Sequence, residues 1–423
     1  MHILRKALAR LLPSSVYEAL LGVYHRGWAF SSALCLGFPA RRLTVIGVTG
    51  TKGKSSVSEM LFAILRHADY STAVAGTIRF AINEESRPNL FKMTLPGRAF
   101  LQNFLKRAVS SGAKYAIIEL TSEGAKQFRH LYTDLDALVF TNLQKEHIES
   151  HGSMEKYAAA KFELGKALAN SPKRPRAIIA NSDNAYSIPY LNLPVETKLP
   201  FGQADALELR LHDSHVSFRY DGVLFTIPHP GMFSVLNALA AIKTAAWLGV
   251  PLPVCSEALS SLTVIPGRAE HIEAGQDFLA VVDYAHTPDS LEALYGAYGK
   301  RRKICVLGNT GGGRDTWKRP LMGKIAEQEC DEVILTNEDP YDEDPRAILD
   351  AMTTDMTRSP HVIMDRREAI RTALSLARSG DAVLITGKGT DPYIMEANGS
   401  KTPWSDAQVV REELEKLKRN EVS

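Results

Sequence analysis

The chain has 423 residues, is 45% hydrophobic and 23% charged, and carries a net charge of +2. That composition fits a soluble globular protein of two or three domains, and the near-neutral charge gives no electrostatic case for nucleic acid. No apolar run reaches the ~20 residues needed to span a bilayer. The four cysteines (Cys35, Cys255, Cys305, Cys330) lack metal-binding spacing, so a reduced, cytoplasmic chain is expected.

Residues 1–41 are basic and apolar-rich. LRKALARLL and SSVYEALLGVYHRGWAF both have helical spacing, with Ser14 or Ser15 as N-cap after Pro13. Glu18, His25 and Arg26 interrupt any signal-peptide core. The favoured reading is a pair of helices packed on the following domain. The alternative is an interfacial amphipathic helix touching membrane lipid, with Trp28 and Phe30 on its apolar face.

From Leu43 to about Pro266, short β-branched runs alternate with helical patterns: LTVIGVTG, STAVAGTI, YAIIELTS, DALVFTNL and PRAIIANS. That alternation predicts an α/β domain with a mostly parallel sheet. LELRLHDSHVSFRYDGVLFTIP alternates with period two around Asp221-Gly222, which predicts an antiparallel hairpin. A boundary is expected near Ile265–Arg268. Beyond it FLAVVDYAH, KICVLGN, DEVILTN, HVIMD and DAVLITG repeat the alternation, giving a second α/β unit of ordinary domain size. The expected divisions are a helical segment at 1–41, a central domain at 42–266 and a Rossmann-like C-terminal domain at 267–423. The tail REELEKLKRN reads as a charged, solvated helix.

The chemistry centres on VIGVTGTKGKSS. A strand runs into Gly50-Thr51-Lys52-Gly53, and Lys54-Ser55-Ser56 opens a helix. Backbone N–H groups at a helix N-terminus aim at an anion, and glycines let the backbone approach phosphates. Lys54 then meets the β/γ-phosphates and Ser55 binds Mg²⁺. The general motif wants glycine where Val48 stands, so this is a variant loop. Glu119 ends an apolar strand, where a carboxylate either holds Mg²⁺ or sits solvated. Lys161 lies on a helix among alanines, which by itself reads as a surface residue.

G-x-T-G-T-x-G-K-[ST] resembles the ATP loop of the Mur ligases, and DYAHTPDSL (Asp283 to Leu291) is more specific to that family. Likeness covers about residues 43–420 and is nearest the members that add the third residue of the muramyl peptide. The resemblance implies an ATP-dependent peptide ligase of peptidoglycan synthesis. It forms an acyl phosphate on a peptide carboxylate, which an amino acid's amine then attacks. It implies ATP and two Mg²⁺ ions as cofactors, and a Lys161 carbamylated by CO₂. One metal would lie on Ser55 and Glu119, the other on Glu119, His147 and the carbamate. Asn237 would contact adenine, Asp283 the ribose and Arg268 the phosphates. Arg314, Asp315, Lys318 and Arg319 would surround the incoming groups, and KMTLPG would contact the acceptor. Substrate-binding positions carried over are Thr94, Thr121, Ser122, Arg129, Arg314, Glu338, Asp339, Gly387 and Asp391. The partners implied are a muramyl-peptide acceptor and a free amino acid, with the enzyme a monomer.

Two departures stand out. Glu338-Asp339-Pro340-Tyr341 lacks the arginine that grips a diaminopimelate carboxylate, and the acidity at 338, 339 and 342–344 suits a cationic side chain such as lysine or ornithine. The alternative there is an acidic loop without a ligand. Only about 45 residues precede the phosphate loop, too few for an ordinary UDP-binding domain. The acceptor is therefore either UDP-linked through a reduced grip or lipid-linked. Other readings are a folylpolyglutamate-like ligase, which DYAHTPDSL disfavours, and a P-loop ATP-binding protein without ligation.

Overall fold

The computed structural model describes residues 13–146 and 148–422. Contacts group them into two units. The first comprises the chain up to Leu143 with Glu155–Phe201 and Lys243–Leu248. The second comprises Gln144–Met154, Gly202–Ile242 and the chain from Gly249 onward.

The first unit is built on an eight-stranded sheet. Its strands are β1 (Thr44–Thr49), β2 (Thr72–Ala75), β3 (Arg79–Ile82), β4 (Glu85–Pro88), β5 (Tyr115–Glu119), β6 (Ala137–Phe140), β7 (Ala177–Asn181) and β8 (Thr197–Phe201). The order is β4-β3-β2-β5-β1-β6-β7-β8. β1 pairs in parallel with both β5 and β6, and only the β2–β3 and β3–β4 pairings are antiparallel, so β3 alone is reversed in this sheet. β1 and β5 are almost wholly buried, as continuous apolar runs in a helix-covered parallel sheet must be. Gly47 in β1 has a packing reason: a Cβ there would come within 2.7 Å of the Leu120 side chain.

In the second unit β9 (Leu207–Leu211), β10 (Val216–Tyr220) and β11 (Val223–Ile227) form an antiparallel sheet. Asp221 and Gly222 both have positive φ in its tight turn, as the Asp-Gly pair predicts. A second sheet holds β12 (Glu270–His271), β13 (Leu279–Val282), β14 (Lys303–Leu307), β15 (Glu332–Leu335), β16 (His361–Val362) and β17 (Ala382–Ile385). Its order is β12-β13-β17-β14-β15-β16, parallel except at β12. Apolar clusters cover both faces. This is the expected α/β architecture.

Three expectations are corrected. Cys305 and Cys330 form a disulfide, so the chain is not wholly reduced. β14 and the segment entering β15 bring the two Cα atoms to 6.1 Å, within bridging range, which linear spacing cannot reveal. The tail helix (Asp406–Val422) is not simply solvated. Val409, Val410 and Leu414 are buried, and buried Glu413 accepts from Arg367 and Arg371 of the helix Arg366–Leu376. The N-terminal helix (Ser14–Cys35) has Pro13, not a serine, in the cap position. LRKALARLL lies outside the described residues.

Candidate active site

β1 ends at Thr49, the chain turns through Gly50–Gly53, and a helix starts at Lys54. Gly50 has φ 147°, and a Cβ there would fall 1.9 Å from Thr141 Oγ1, so only glycine fits. The strand end after β6 fixes the turn. Asn142 accepts from Thr51 N through its carbonyl (2.8 Å) and from Lys52 N through Oδ1 (2.9 Å), while Thr141 Oγ1 donates to Lys52 O at 2.6 Å. Lys54 Nζ folds back on Gly50 O and Thr51 O, at 2.9 Å each. Ser56 follows Ser55 in the first turn, and both are buried.

Glu119 ends β5, beside β1, and is 1% exposed. That removes the solvated reading. Its Oε2 accepts from Ser55 Oγ at 3.1 Å and from Thr77 Oγ1 at 3.0 Å, and its Oε1 from Thr77 N at 2.9 Å. Thr77 Oγ1 lies 3.0 Å from Thr94 Oγ1, so one polar relay joins the phosphate loop to the KMTLPG loop. Sequence reasoning missed Thr77, because no motif marks a residue in the β2–β3 turn.

Lys161 is 2% exposed, not a surface residue, and its Nζ donates to Gly50 O at 2.7 Å. The helix Met154–Ala169 also brings Tyr157 OH within 3.1 Å of Thr51 Oγ1, a second contact the sequence did not signal. Ser55, Glu119, Lys54 and Lys161 thus gather around one loop, whereas His147 lies outside the described residues. Among the described residues no cluster of three or more His, Cys, Asp or Glu side chains could hold a metal. The donor set at the loop is instead a hydroxyl, a carboxylate and a lysine. Hard oxygen donors suit Mg²⁺, and carbamylation would turn the lysine into another.

Also in this unit, Thr121 caps a short helix starting at Ser122 by accepting from Gly124 N. Arg129 donates to Leu95 O and to Gln127 Oε1, its Nε is buried without a hydrogen-bond partner, and burial pushes its pKa down. It therefore ties Gln127, just after that helix, to the loop that carries Thr94 and Leu95.

In the second unit Asp283 is fixed by backbone donors, Ala269 N and Ala285 N, at 2.6 Å each. Arg268 stacks on Tyr284 at 4.7 Å. His286 takes Tyr284 O and Glu146 Oε1 as partners, at 2.7 and 2.8 Å. Asn237 is buried within the helix Met232–Trp247. The Gly267 and Gly389 turns touch: a Cβ on Gly267 would lie 2.6 Å from Thr390 N.

The loop at 338–344 is not a free acidic surface. Asp339 receives Lys388 Nζ at 2.9 Å, and Lys388 also donates to Asp391 and Tyr393 O. Arg319 forks onto Glu343 at 2.6 and 2.9 Å, Asp342 accepts from Asn398 N, and Asp344 caps the helix Pro345–Thr353. Arg319 and Asp339 are therefore committed within the chain. Arg314 stacks on Tyr341 at 4.9 Å. Glu338 differs: it is 3% exposed, Oε1 accepts from Thr310, and Oε2 has no hydrogen-bond partner. Burial, then Asp339, raises its pKa. Gly387 leaves that oxygen room, since a Cβ there would lie 2.3 Å from it. Lys388, which is not among the site residues expected from the sequence, joins Asp339, Asp391 and Tyr393 O through one ammonium.

Residues 48–245 match the Mur ligase middle domain, and residues 267–389 match the "Mur ligase, glutamate ligase domain". The chain is 38% identical over 392 residues to the UDP-N-acetylmuramoyl-L-alanyl-D-glutamate--2,6-diaminopimelate ligase of Caldanaerobacter subterraneus subsp. tengcongensis, covering 89% of this chain and 79% of that protein. It is 35% identical over 417 residues to the UDP-N-acetylmuramyl-tripeptide synthetase of Roseiflexus sp., covering 91% and 81%. A solved UDP-N-acetylmuramoyl-L-alanyl-D-glutamate--2,6-diaminopimelate ligase superposes with a TM-score of 0.60 at 31% identity, over 89% of this chain and 79% of that one.

Proposed function

Because the chain belongs to the Mur ligase family, we propose that it is an ATP-dependent ligase joining an amino acid to the C-terminal carboxylate of a muramyl peptide, in peptidoglycan precursor synthesis. The observation that carries this reading is the buried Glu119 carboxylate held 3.1 Å from Ser55 Oγ at the phosphate loop. A carboxylate is a poor electrophile. Transfer of the γ-phosphoryl of ATP to its oxygen, with release of ADP, turns that oxygen into a good leaving group. The amino acid's neutral amine then attacks the acyl carbon, the C–O bond to phosphate breaks, and amide, phosphate and a proton leave.

The backbone of Gly50–Gly53 and the Lys54 ammonium bind and orient the β/γ-phosphates. Ser55 and Glu119 would hold one Mg²⁺, and Glu119, His147 and carbamylated Lys161 a second. Bound there, the metals neutralise the facing anions of nucleotide and acceptor. Asn237, Asp283 and Arg268 are assigned to adenine, ribose and phosphates. Thr94, Thr121, Ser122 and Arg129 are assigned to the acceptor, and Arg314, Gly387 and Asp391 to the amino acid. The cationic group of that amino acid is assigned to Glu338 Oε2, the buried oxygen that has no hydrogen-bond partner. We read residues 42–266 as the ATP-binding part and 267–423 as the ligating part of a cytoplasmic monomer.

The test is phosphate release from ATP with a panel of amino acids and muramyl-dipeptide acceptors, with and without UDP. Release requiring both acceptor and one amino acid supports ligation. Hydrolysis indifferent to both excludes it.

A further inference from the structure

The helix Ser14–Cys35 turns a stripe of apolar side chains outward. Val16, Leu20, Val23, Phe30 and Leu34, spaced 4, 3, 7 and 4 apart, are 44% to 70% exposed. Gly27 fills the remaining place in that 4-3-4-3-4 stripe. Tyr24 and Trp28 flank it, 45% and 51% exposed. The opposite face is the one that packs: Ala29 and Ala33 are buried, and Arg26 lies over Phe128 at 4.6 Å. Apart from Arg26, the only other Lys, Arg, Asp or Glu in the helix is Glu18. Over 22 residues the outward stripe therefore carries no charge, although no described helix is long and apolar enough to cross a membrane. Exposed apolar side chains also mark residues 90–93, at the start of the KMTLPG loop. Leu90, Phe91 and Met93 are about half exposed, and Met93 Sδ contacts Arg129, next in sequence to Phe128.

Charge decides what covers the stripe. Arg5, Lys6, Arg10, Arg26, Arg41 and Arg42 stand against a single acid, Glu18, in residues 1–42; even with Arg41 paired to Asp134, this segment is strongly cationic in a chain whose net charge is only +2. Two copies meeting through the stripe would bring together two chain segments of the same positive net charge, which disfavours self-association. An anionic lipid surface complements both features at once. The apolar face enters the acyl boundary, tyrosine and tryptophan sit at headgroup level, and arginine and lysine meet lipid phosphate.

We propose that the exposed face of the helix Ser14–Cys35 is a peripheral docking surface for an anionic phospholipid bilayer. The ligase reading is not needed for it.

The test is flotation of the full chain with vesicles of phosphatidylcholine alone and of phosphatidylcholine with phosphatidylglycerol. Expected is retention on the anionic vesicles only, weakened about tenfold by raised salt. Leu20→Glu with Leu34→Glu, and separately Arg5→Gln, Lys6→Gln and Arg10→Gln together, should each cut retention at least about tenfold. Circular dichroism and phosphate release with a soluble acceptor should stay unchanged. Trp28 emission should shift to the blue on anionic vesicles, and Trp28→Phe should lose that shift. Retention on neither vesicle overturns the proposal, as does retention indifferent to Leu20→Glu with Leu34→Glu. Dimers in light scattering that the same pair dissolves, without vesicle binding, overturn it in favour of a second copy.

Discussion

Ser55 Oγ donates to Glu119 Oε2 at 3.1 Å, across the junction of two neighbouring parallel strands. The serine opens the phosphate-loop helix, and the carboxylate is buried with Thr77 on both its oxygens. Glu119→Gln keeps shape and most hydrogen bonds but removes the charge. Phosphate release in the complete reaction should fall about 100-fold or more, with a higher Mg²⁺ requirement. A Mg²⁺ titration of initial rates checks both, and an unchanged Mg²⁺ dependence would rule Glu119 out as a ligand.

Lys161 reaches Gly50 O from a separate helix and is almost fully buried. Lys161→Ala should lose activity by about two orders of magnitude, and added short carboxylates should restore part of it by supplying the missing oxygens. Rates that stay unchanged, or a loss that formate and acetate never relieve, count against the carbamate.

Gly50 has no space for a side chain and sits at φ 147°. Gly50→Ala should destabilise the protein by about 1–3 kcal/mol, the usual cost of such strain. It should also weaken ATP binding, because Thr141 must move and it secures Lys52 O. Urea unfolding and nucleotide titration read the two effects separately.

Glu338 combines a raised pKa with an unpartnered oxygen. For a carboxyl raised by burial, ionisation costs stability. That cost is absent below the unfolded-state pKa of about 4.3, and grows as pH rises to the folded-state value. Glu338→Gln should therefore be more stable than the parent at pH 7 and equal to it near pH 4. If Oε2 takes the amino acid's cation, the same substitution raises KM for that amino acid about tenfold or more while kcat changes less. Unaltered KM would remove Glu338 from the substrate site.

Much of the site is legible in the sequence. The strand, glycine turn and Lys-Ser helix start follow from local rules, as do the alternating strands and the Asp221-Gly222 turn. These depend on backbone preference and periodicity, which act over a few residues. What linear spacing could not give were the states of side chains whose partners lie far along the chain. Lys161 read as a surface lysine, because alanine neighbours say nothing of a carbonyl 111 positions away. The acids at 338–344 read as open, whereas Lys388, Arg319 and Asn398 N each occupy one of them. The Cys305–Cys330 bridge was likewise invisible.

The sequence by itself determined the order of elements, the phosphate loop and the family resemblance, because those are written in contiguous motifs. Only the tertiary structure decided that Glu119 is buried rather than solvated, that Thr77 ties it to Thr94, and that Glu338 keeps a buried oxygen without a hydrogen-bond partner. The reason is physical: burial and pairing are set by what folds against a residue, and the sheet brings those partners from dozens of residues away.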